Sequence, residues 1–336
     1  MPERYKVIIT DYVHDELAPE REVLGDIADV AALNAFSEEE LAGRIEDAHA
    51  IMCYHHHPIS ALTIERLKQC RIIARSGVGV DSIDLACAKA HGIPVTNVPD
   101  YGTEEVADSA LALALSLARG THAANSRLRA QDGPWDNTQV APLPRLRGRV
   151  FAIVGLGRIG TASAKRAKAI GFDVVFYDPY KEDGYDKALG IRRANTLREL
   201  LEQAYVVSAH CNLTDETRHI LNEETIGWLP QGSLLVNTSR GAVVDTEAIP
   251  DALASGRLRG AAIDVLEGEP PDPRSALIQA WRDPGHAAHH HFILNPHIAY
   301  YCEEGMKEMR TKVSHECRRA LLGEPLRNIV NGVETQ

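Results

Sequence analysis

The sequence predicts an α/β fold of two doubly wound parallel-sheet domains, with the active site in the cleft between them. Three observations predict it. The first is length: 336 residues exceed what a single hydrophobic core usually organises, so two domains are expected. The second is alternation of short apolar runs with helix-patterned segments, the pattern of a parallel sheet with covering helices. The third is the stretch 151–178, FAIVGLGRIGTASAKRAKAIGFDVVFYD, which reads as strand, glycine turn, helix and a second strand closed by an acid.

Each part of that stretch has a task in holding a dinucleotide. Gly155 permits the tight turn. Gly157 lets the backbone approach a pyrophosphate at the positive end of the helix. Gly160 lets helix and strand pack closely, and Arg158 and Ile159 open the helix between them. Asp178, at the end of the following strand, is placed to accept hydrogen bonds from the adenosine ribose. Its charge repels a 2′-phosphate, which favours NAD over NADP. The second domain is therefore expected to be Rossmann-like.

Composition bounds the partners. With 44% hydrophobic and 25% charged residues the chain can build large cores. No apolar run reaches bilayer length, and the N-terminal residues lack the apolar core of a signal peptide, so no membrane association is expected. A net charge of -11 argues against direct nucleic-acid binding. Six scattered cysteines without a CxxC pair suit reduced thiols in a cytoplasmic protein.

In order, Tyr5–Thr10 reads as a strand, and 36–48 as a helix opened by Ser37 with Glu40 at capping-box spacing. The stretch 50–54 is a strand ending in Tyr54, 63–69 a helix, and 71–75 a strand ending in Arg75 and running into Ser76-Gly77-Val78-Gly79. A further strand follows at 93–98. Residues 103–119 form a long, widely apolar helix with Glu104 and Glu105 in its first turn. Later strands are expected at 206–210, 234–238, 261–265 and 291–295. Their polar ends, His210 and Thr238 among them, fall where a doubly wound sheet places its ligand crevice. A last helix, 303–322, is expected to return to the first domain. The predicted organisation is a flavodoxin-like substrate domain from 1–101 and 302–336, around an NAD-binding Rossmann domain from 102–301.

Three polar residues stand just past apolar segments of the second half: Arg240, Glu269 and His297. Oxidising a 2-hydroxy acid needs this kit. An arginine fork pairs with a carboxylate in two bonds, a histidine exchanges a proton near neutral pH, and a carboxylate beside it favours its charged form. Tyr54 reads equally as core packing or as a wall of the substrate pocket. Arg75 reads as a substrate contact or as an ion pair between domains. The histidine runs 55–57 and 289–291, with His286, have no cysteine or carboxylate at metal-ligand spacing, so solvated loops and no metal are expected.

The blocks Gly155–Gly160, Val236-Asn-Thr-Ser-Arg-Gly-Ala-Val-Val-Asp245, Gly260-Ala-Ala-Ile-Asp-Val-Leu-Glu-Gly-Glu-Pro270 and Asn295-Pro-His297 resemble the D-isomer-specific 2-hydroxyacid dehydrogenase family across almost the whole chain. The resemblance implies an NAD-dependent dehydrogenase or 2-oxo acid reductase. Arg240 would anchor the substrate carboxylate, His297 would be the proton donor and Glu269 its partner. Asp264 would lie near the nicotinamide carboxamide, and Gly77, Val78 and Gly79, with Arg75, would form a substrate loop. It also implies a homodimer through the NAD-binding domain. Phe176-Tyr-Asp-Pro-Tyr180, Ala209-His-Cys211 and Gly256–Ala262 resemble the branch of C-terminal-binding proteins, which implies an NAD-sensing interaction module as an alternative. That branch carries a tryptophan after the histidine, where Tyr300 and Tyr301 stand here. Phosphoglycerate dehydrogenases, a further alternative, usually have an arginine where this chain has 54–57. The stretch 271–290 is expected to be a lid or a subunit-contact loop.

Overall fold

The computed structural model describes residues 4–13, 15–54 and 57–334. His55 and His56, part of the first histidine run, lie outside the described residues. The chain divides into two compact units, Met1–Gly102 with Tyr301–Gln336, and Thr103–Tyr300.

The first unit is built on strands β1 (Tyr5–Ile9), β2 (Ala28–Ala32), β3 (Ala50–Cys53), β4 (Ile73–Arg75) and β5 (Val95–Thr96), all parallel in the order β2-β1-β3-β4-β5. This is the flavodoxin-like order. Helices α1 (Ala18–Leu24), α2 (Ala61–Ile64) and α3 (Leu85–Ala90) belong to it. The strands are apolar on both faces, as a doubly covered parallel sheet requires. Ile8, Ile51, Ile73 and Val95 pack to one side, and Val7, Ile9, Met52 and Ala74 to the other.

The second unit contains α4 (Thr103–Arg119), α5 (Thr121–Arg129), β6 (Val150–Val154), α6 (Arg158–Ile170), β7 (Asp173–Tyr177), α7 (Tyr185–Leu189), β8 (Arg192–Arg193), α8 (Leu197–Leu201), β9 (Val206–Ala209), α9 (Glu223–Gly227), β10 (Ser233–Asn237), α10 (Ile249–Ala254), β11 (Leu258–Ile263), α11 (Ala276–Arg282), α12 (Ala288–His291) and β12 (Phe292–Leu294). Its seven strands are parallel in the order β12-β11-β10-β9-β6-β7-β8. The order reverses between β6 and β9, and that reversal opens the crevice outside the strand ends where such sheets take ligands. Helix α4 turns Val106, Ala110, Leu113, Ala114 and Leu117 inward at spacings of three and four, against α6 and the sheet. Each buried leucine there contributes roughly 1.5–3 kcal/mol.

The last helix, α13 (Glu303–Leu322), packs on α1, β3 and β4 of the first unit through Met306, Met309, Val313, Cys317 and Leu321.

Several expectations are corrected. No helix spans 36–48; a single 3₁₀ turn, Glu39–Leu41, forms there. The Glu40 carboxylate accepts the Phe36 N–H at 3.1 Å. Glu38 turns away to bind Ser60 N at 2.7 Å, and Gly43 takes φ +79, which no right-handed helix allows. The helix at 63–69 is instead four residues, Ala61–Ile64, because the Lys68 N–H goes to the Glu46 carbonyl at 3.1 Å. The strand at 93–98 shortens to two residues, Pro94 having no N–H to donate. The histidine runs are not simply solvated loops: His57 is buried, 3.9 Å from the buried Asp11 carboxylate, and His289–His291 lie on α12. The stretch 271–290 carries α11 and α12, whose Leu277 and Ala288 join the core of the second unit.

Candidate active site

The glycine loop follows β6. Gly155 has φ +91, and a Cβ there would stand 2.7 Å from Cys211 Cα. A Cβ on Gly160 would stand 2.1 Å from the Gly155 carbonyl oxygen, so this helix–strand contact admits no side chain. A Cβ on Gly157 would meet nothing within 4 Å, and the space above it is open. Asp178 braces the loop from β7: Oδ2 accepts the Leu156 N–H at 2.8 Å and Oδ1 the Tyr180 N–H at 3.0 Å. Arg158 and Ile159 begin α6.

Two polar atoms at the ends of the neighbouring strands are buried without a hydrogen-bond partner among the described residues: Thr238 Oγ1 after β10 and His210 Nδ1 after β9. The other ring nitrogen of His210 lies 2.9 Å from Ser208 Oγ. Burial lowers the His210 pKa to about 4, so the ring is neutral at neutral pH. Buried polar atoms without partners are costly. Here they border an open glycine loop braced by a carboxylate, and the set fits a dinucleotide: Gly157 leaves room for the pyrophosphate, and His210 and Thr238 offer polar groups to it.

Past β11 and β12 the chain brings Asp264, Glu269 and His297 into direct contact. His297 Nδ1 donates to Glu269 Oε2 at 2.8 Å. The other oxygen of Glu269 accepts the Leu266 N–H at 2.8 Å, which fixes the carboxylate. The hydrogen bond to the carboxylate puts the proton on Nδ1 and orients the ring. His297 sits in the left-handed region at φ 56, uncommon for a residue with a side chain. Asp264 holds it there. Its carbonyl accepts the His297 N–H at 2.8 Å, and its buried carboxylate accepts Ile298 N and Ala299 N, both at 3.0 Å. Burial raises the Asp264 pKa, and those two N–H groups work against the rise. Tyr300 meets the His297 ring edge-on, with centroids 5.9 Å apart.

Arg240 follows β10, half-buried in extended backbone. Its carbonyl accepts from Asn237 Nδ2 at 2.9 Å, and its Nη1 donates to the Ser239 carbonyl at 2.8 Å. The next residue, Gly241, touches the chain that leads to Glu269: a Cβ there would lie 1.9 Å from the Leu266 carbonyl carbon. Sequence reasoning passed over Gly241 and Asn237. The available signals were a glycine directly after the arginine and an amide closing an otherwise apolar strand.

In the first unit, Tyr54 packs against the cluster formed by β1, β3 and α13, and its N–H reaches Asp11 Oδ2 at 2.8 Å. Burial raises the pKa of its phenol. Arg75 is buried and folds onto its own loop, donating Nε to the Gly79 carbonyl at 2.9 Å and Nη1 to the Ser76 carbonyl. The Gly77 carbonyl accepts from Val98 N at 3.0 Å, and that of Val78 from Asn97 Nδ2 at 2.7 Å. The N–H groups of Val78 and Gly79 donate to no acceptor among the described residues. Carbonyls turned inward with amides left over make a backbone nest for an anion.

Residues 111–299 match the family model for the D-isomer specific 2-hydroxyacid dehydrogenase, NAD binding domain. The chain is 32% identical over 326 residues to D-3-phosphoglycerate dehydrogenase of Methanocaldococcus jannaschii, covering 97% of this chain and 59% of that protein. It is 35% identical over 309 residues to C-terminal-binding protein 1 of Caenorhabditis elegans, covering 90% of this chain and 42% of that one. The chain thus spans about half the length of these relatives. Among solved structures, D-lactate dehydrogenase from Aquifex aeolicus complexed with NAD and lactic acid superimposes with a TM-score of 0.83 at 27% identity, covering 95% of this chain and 96% of that one.

Proposed function

The chain belongs to the D-isomer specific 2-hydroxyacid dehydrogenase family, and from that premise we propose that it is an NAD-dependent D-2-hydroxyacid dehydrogenase working as a 2-oxo acid reductase. The observation that carries the reading is the 2.8 Å contact between His297 Nδ1 and Glu269 Oε2, which pairs an imidazole with a carboxylate that favours its charged form. NADH, when bound, supplies the hydride that reduces C2 of the oxo acid.

The protein residues do the rest. The substrate carboxylate pairs with the Arg240 guanidinium, and in the first unit the N–H groups of Val78 and Gly79 are available to an anion. Arg75, Gly77 and Tyr54 shape that loop and its neighbourhood. Nε2 of His297 gives its proton to the carbonyl oxygen, and Glu269 stabilises the imidazolium beforehand by accepting from Nδ1. Such a positioned acid contributes about 10²–10⁴ in rate. Asp264, by holding residues 297–299, fixes where Nε2 points. Gly155, Gly157, Arg158, Ile159, Gly160, Asp178, His210, Thr238 and Asp264 would hold the coenzyme, the Asp178 carboxylate favouring a free ribose 2′-hydroxyl. A homodimer through the NAD-binding domain and a cytoplasmic location belong to the same proposal. No helix among the described residues is long and apolar enough to cross a membrane.

The test is NADH oxidation with a panel of 2-oxo acids that includes pyruvate, glyoxylate, hydroxypyruvate and its 3-phosphate. Rapid turnover on at least one supports the reading, and preference for the phosphorylated acid would make it a phosphoglycerate dehydrogenase. A second reading is favoured by the 35% identity to C-terminal-binding protein 1: an NAD(H)-sensing interaction module with weak turnover. Tight NADH binding with feeble turnover on every acid would favour the module.

A further inference from the structure

We propose that Glu267 is a further positioning residue for the reaction: tied to Arg218 and His219, it sets the turn that presents Glu269 to His297. The inference rests on the reading above and adds to it what holds that pair in place. Residues 264–270, between β11 and α11, lie in neither helix nor strand. The Glu269 carboxylate accepts the Leu266 N–H, but that bond is internal to the turn. It shapes the turn without placing it. Gly241 meets the turn from the end of β10, where a Cβ would lie 2.2 Å from Glu267 N. The Glu267 side chain adds a second tie. Its Oε1 accepts from Arg218 Nη1 at 2.6 Å, and its Oε2 accepts from His219 Nε2 at 3.0 Å.

Arg218 and His219 can hold the turn because their own segment, between β9 and α9, is fastened to the chain that follows Arg240. The His219 N–H donates to the Ala242 carbonyl at 2.7 Å and the Leu221 N–H to the Val243 carbonyl at 3.2 Å. The Asp245 N–H returns to the Leu221 carbonyl at 2.8 Å. Asn222 Nδ2 donates to the His219 carbonyl at 2.9 Å. One segment therefore grips the backbone just past Arg240 and the side chain just before Glu269. The backbone of His219 is a second sign. Its φ of 50 is left-handed, as is the φ of 56 at His297. Each of these histidines donates to a carboxylate of the same turn, Glu267 or Glu269. Strain of this kind persists where neighbours over-determine it, and it gathers at functional sites. The His219 bond, with that of Arg218 behind it, lowers the Glu267 pKa against the opposing effect of burial, so the carboxylate is charged at neutral pH. All three side chains are about half exposed, so the tie adds little to stability. What it fixes is direction, and a misplacement of about 1 Å at a reacting group can cost about a hundredfold in rate. A small effect on stability with a larger one on turnover is the mark of a positioning residue.

The test removes the tie from either end, in Glu267→Ala, His219→Ala and the double variant, with Glu202→Ala as the control. Glu202 pairs with Arg198 at the surface at 3.4 Å, so its loss reports what an exposed ion pair elsewhere in the unit is worth. On the best acid of the panel, kcat, KM, the dissociation constant of NADH and the melting temperature are measured for each protein. The expected result is that Glu267→Ala and His219→Ala each lower kcat about tenfold, with KM held within about threefold, NADH affinity within about twofold and the melting temperature close to wild type. The double variant falls no more than about twofold below either single one, because the same tie is lost. Glu202→Ala matches wild type throughout. The proposal is overturned if Glu267→Ala keeps kcat within about twofold of wild type, or if the two losses multiply in the double variant. It is equally overturned if kcat falls only together with NADH affinity and melting temperature, because the role would then be structural. If the wild type reduces none of the acids, the proposed function fails, and crystal structures of the wild type and Glu267→Ala decide the tie by themselves. A Glu269–His297 hydrogen bond broken in the variant supports it, and one that is kept overturns it.

Discussion

His297 holds a left-handed backbone that costs on the order of 1–3 kcal/mol for a non-glycine residue, and three hydrogen bonds to Asp264 keep it there. Such strain persists only where neighbours over-determine it, and here it aims the ring whose Nδ1 meets Glu269. His210 shows the opposite device, a ring kept neutral by burial. Its pKa falls from 6.5 to about 4 on folding. Above pH 6.5 the ring is neutral in both folded and unfolded chains and adds no pH dependence. Between 6.5 and about 4 the unfolded chain takes up a proton that the folded one refuses, so stability is lost as pH falls through that window. Urea midpoints of the coenzyme-free protein at pH 7.5 and 5 should therefore fall further for wild type than for His210→Asn. Equal losses would show that the imidazole carries no such linkage.

The glycine loop separates two uses of glycine, and substitution should separate them too. Gly160→Ala puts a methyl 2.1 Å from a carbonyl oxygen, so it should lower the melting temperature clearly. Gly157→Ala meets open space, so it should leave the melting temperature almost unchanged and weaken NADH binding by about tenfold or more, through lost approach to the pyrophosphate. A Gly157→Ala protein that binds NADH normally would remove this loop from the coenzyme site. The placement of these glycines between β6 and α6 was legible in the sequence because strand, turn, helix and acid are contiguous there. So were the bounds of α4 and α13, where long apolar periodicity meets end signals. The segment 36–48 misled because its capping-box pattern is local, whereas Glu38 answers to Ser60 and Thr63, distant in sequence. Arg240, Glu269 and His297 could be singled out one by one at segment ends. The left-handed turn of His297 and the close approach at Gly241 depend on packing between strands and left no mark that composition or period could show.

At the scale of the molecule, the chain completes its first unit with its last helix, so residues far apart in sequence share one core. Arg310 fastens that join. It binds Glu20 at 2.6 and 2.7 Å and Asp15 at 2.9 Å, with Glu20 wholly buried. Arg310→Ala leaves the Glu20 carboxylate buried without its cation and should cost about 3–5 kcal/mol. Adding Glu20→Leu should recover much of that loss. Denaturant titration of the two variants measures both, and an unaffected single variant would show that the pair does not hold α13. The second unit contributes the dinucleotide loop and the Glu269–His297 pair, and the central claim is that this pair delivers the proton in 2-oxo acid reduction. The measurement that tests it most directly compares His297→Gln with wild type on the best acid of the panel, with kcat and the dissociation constant of NADH determined separately. The account predicts a fall in kcat of about a hundredfold or more with NADH affinity kept within about twofold. Turnover that survives the substitution would contradict it.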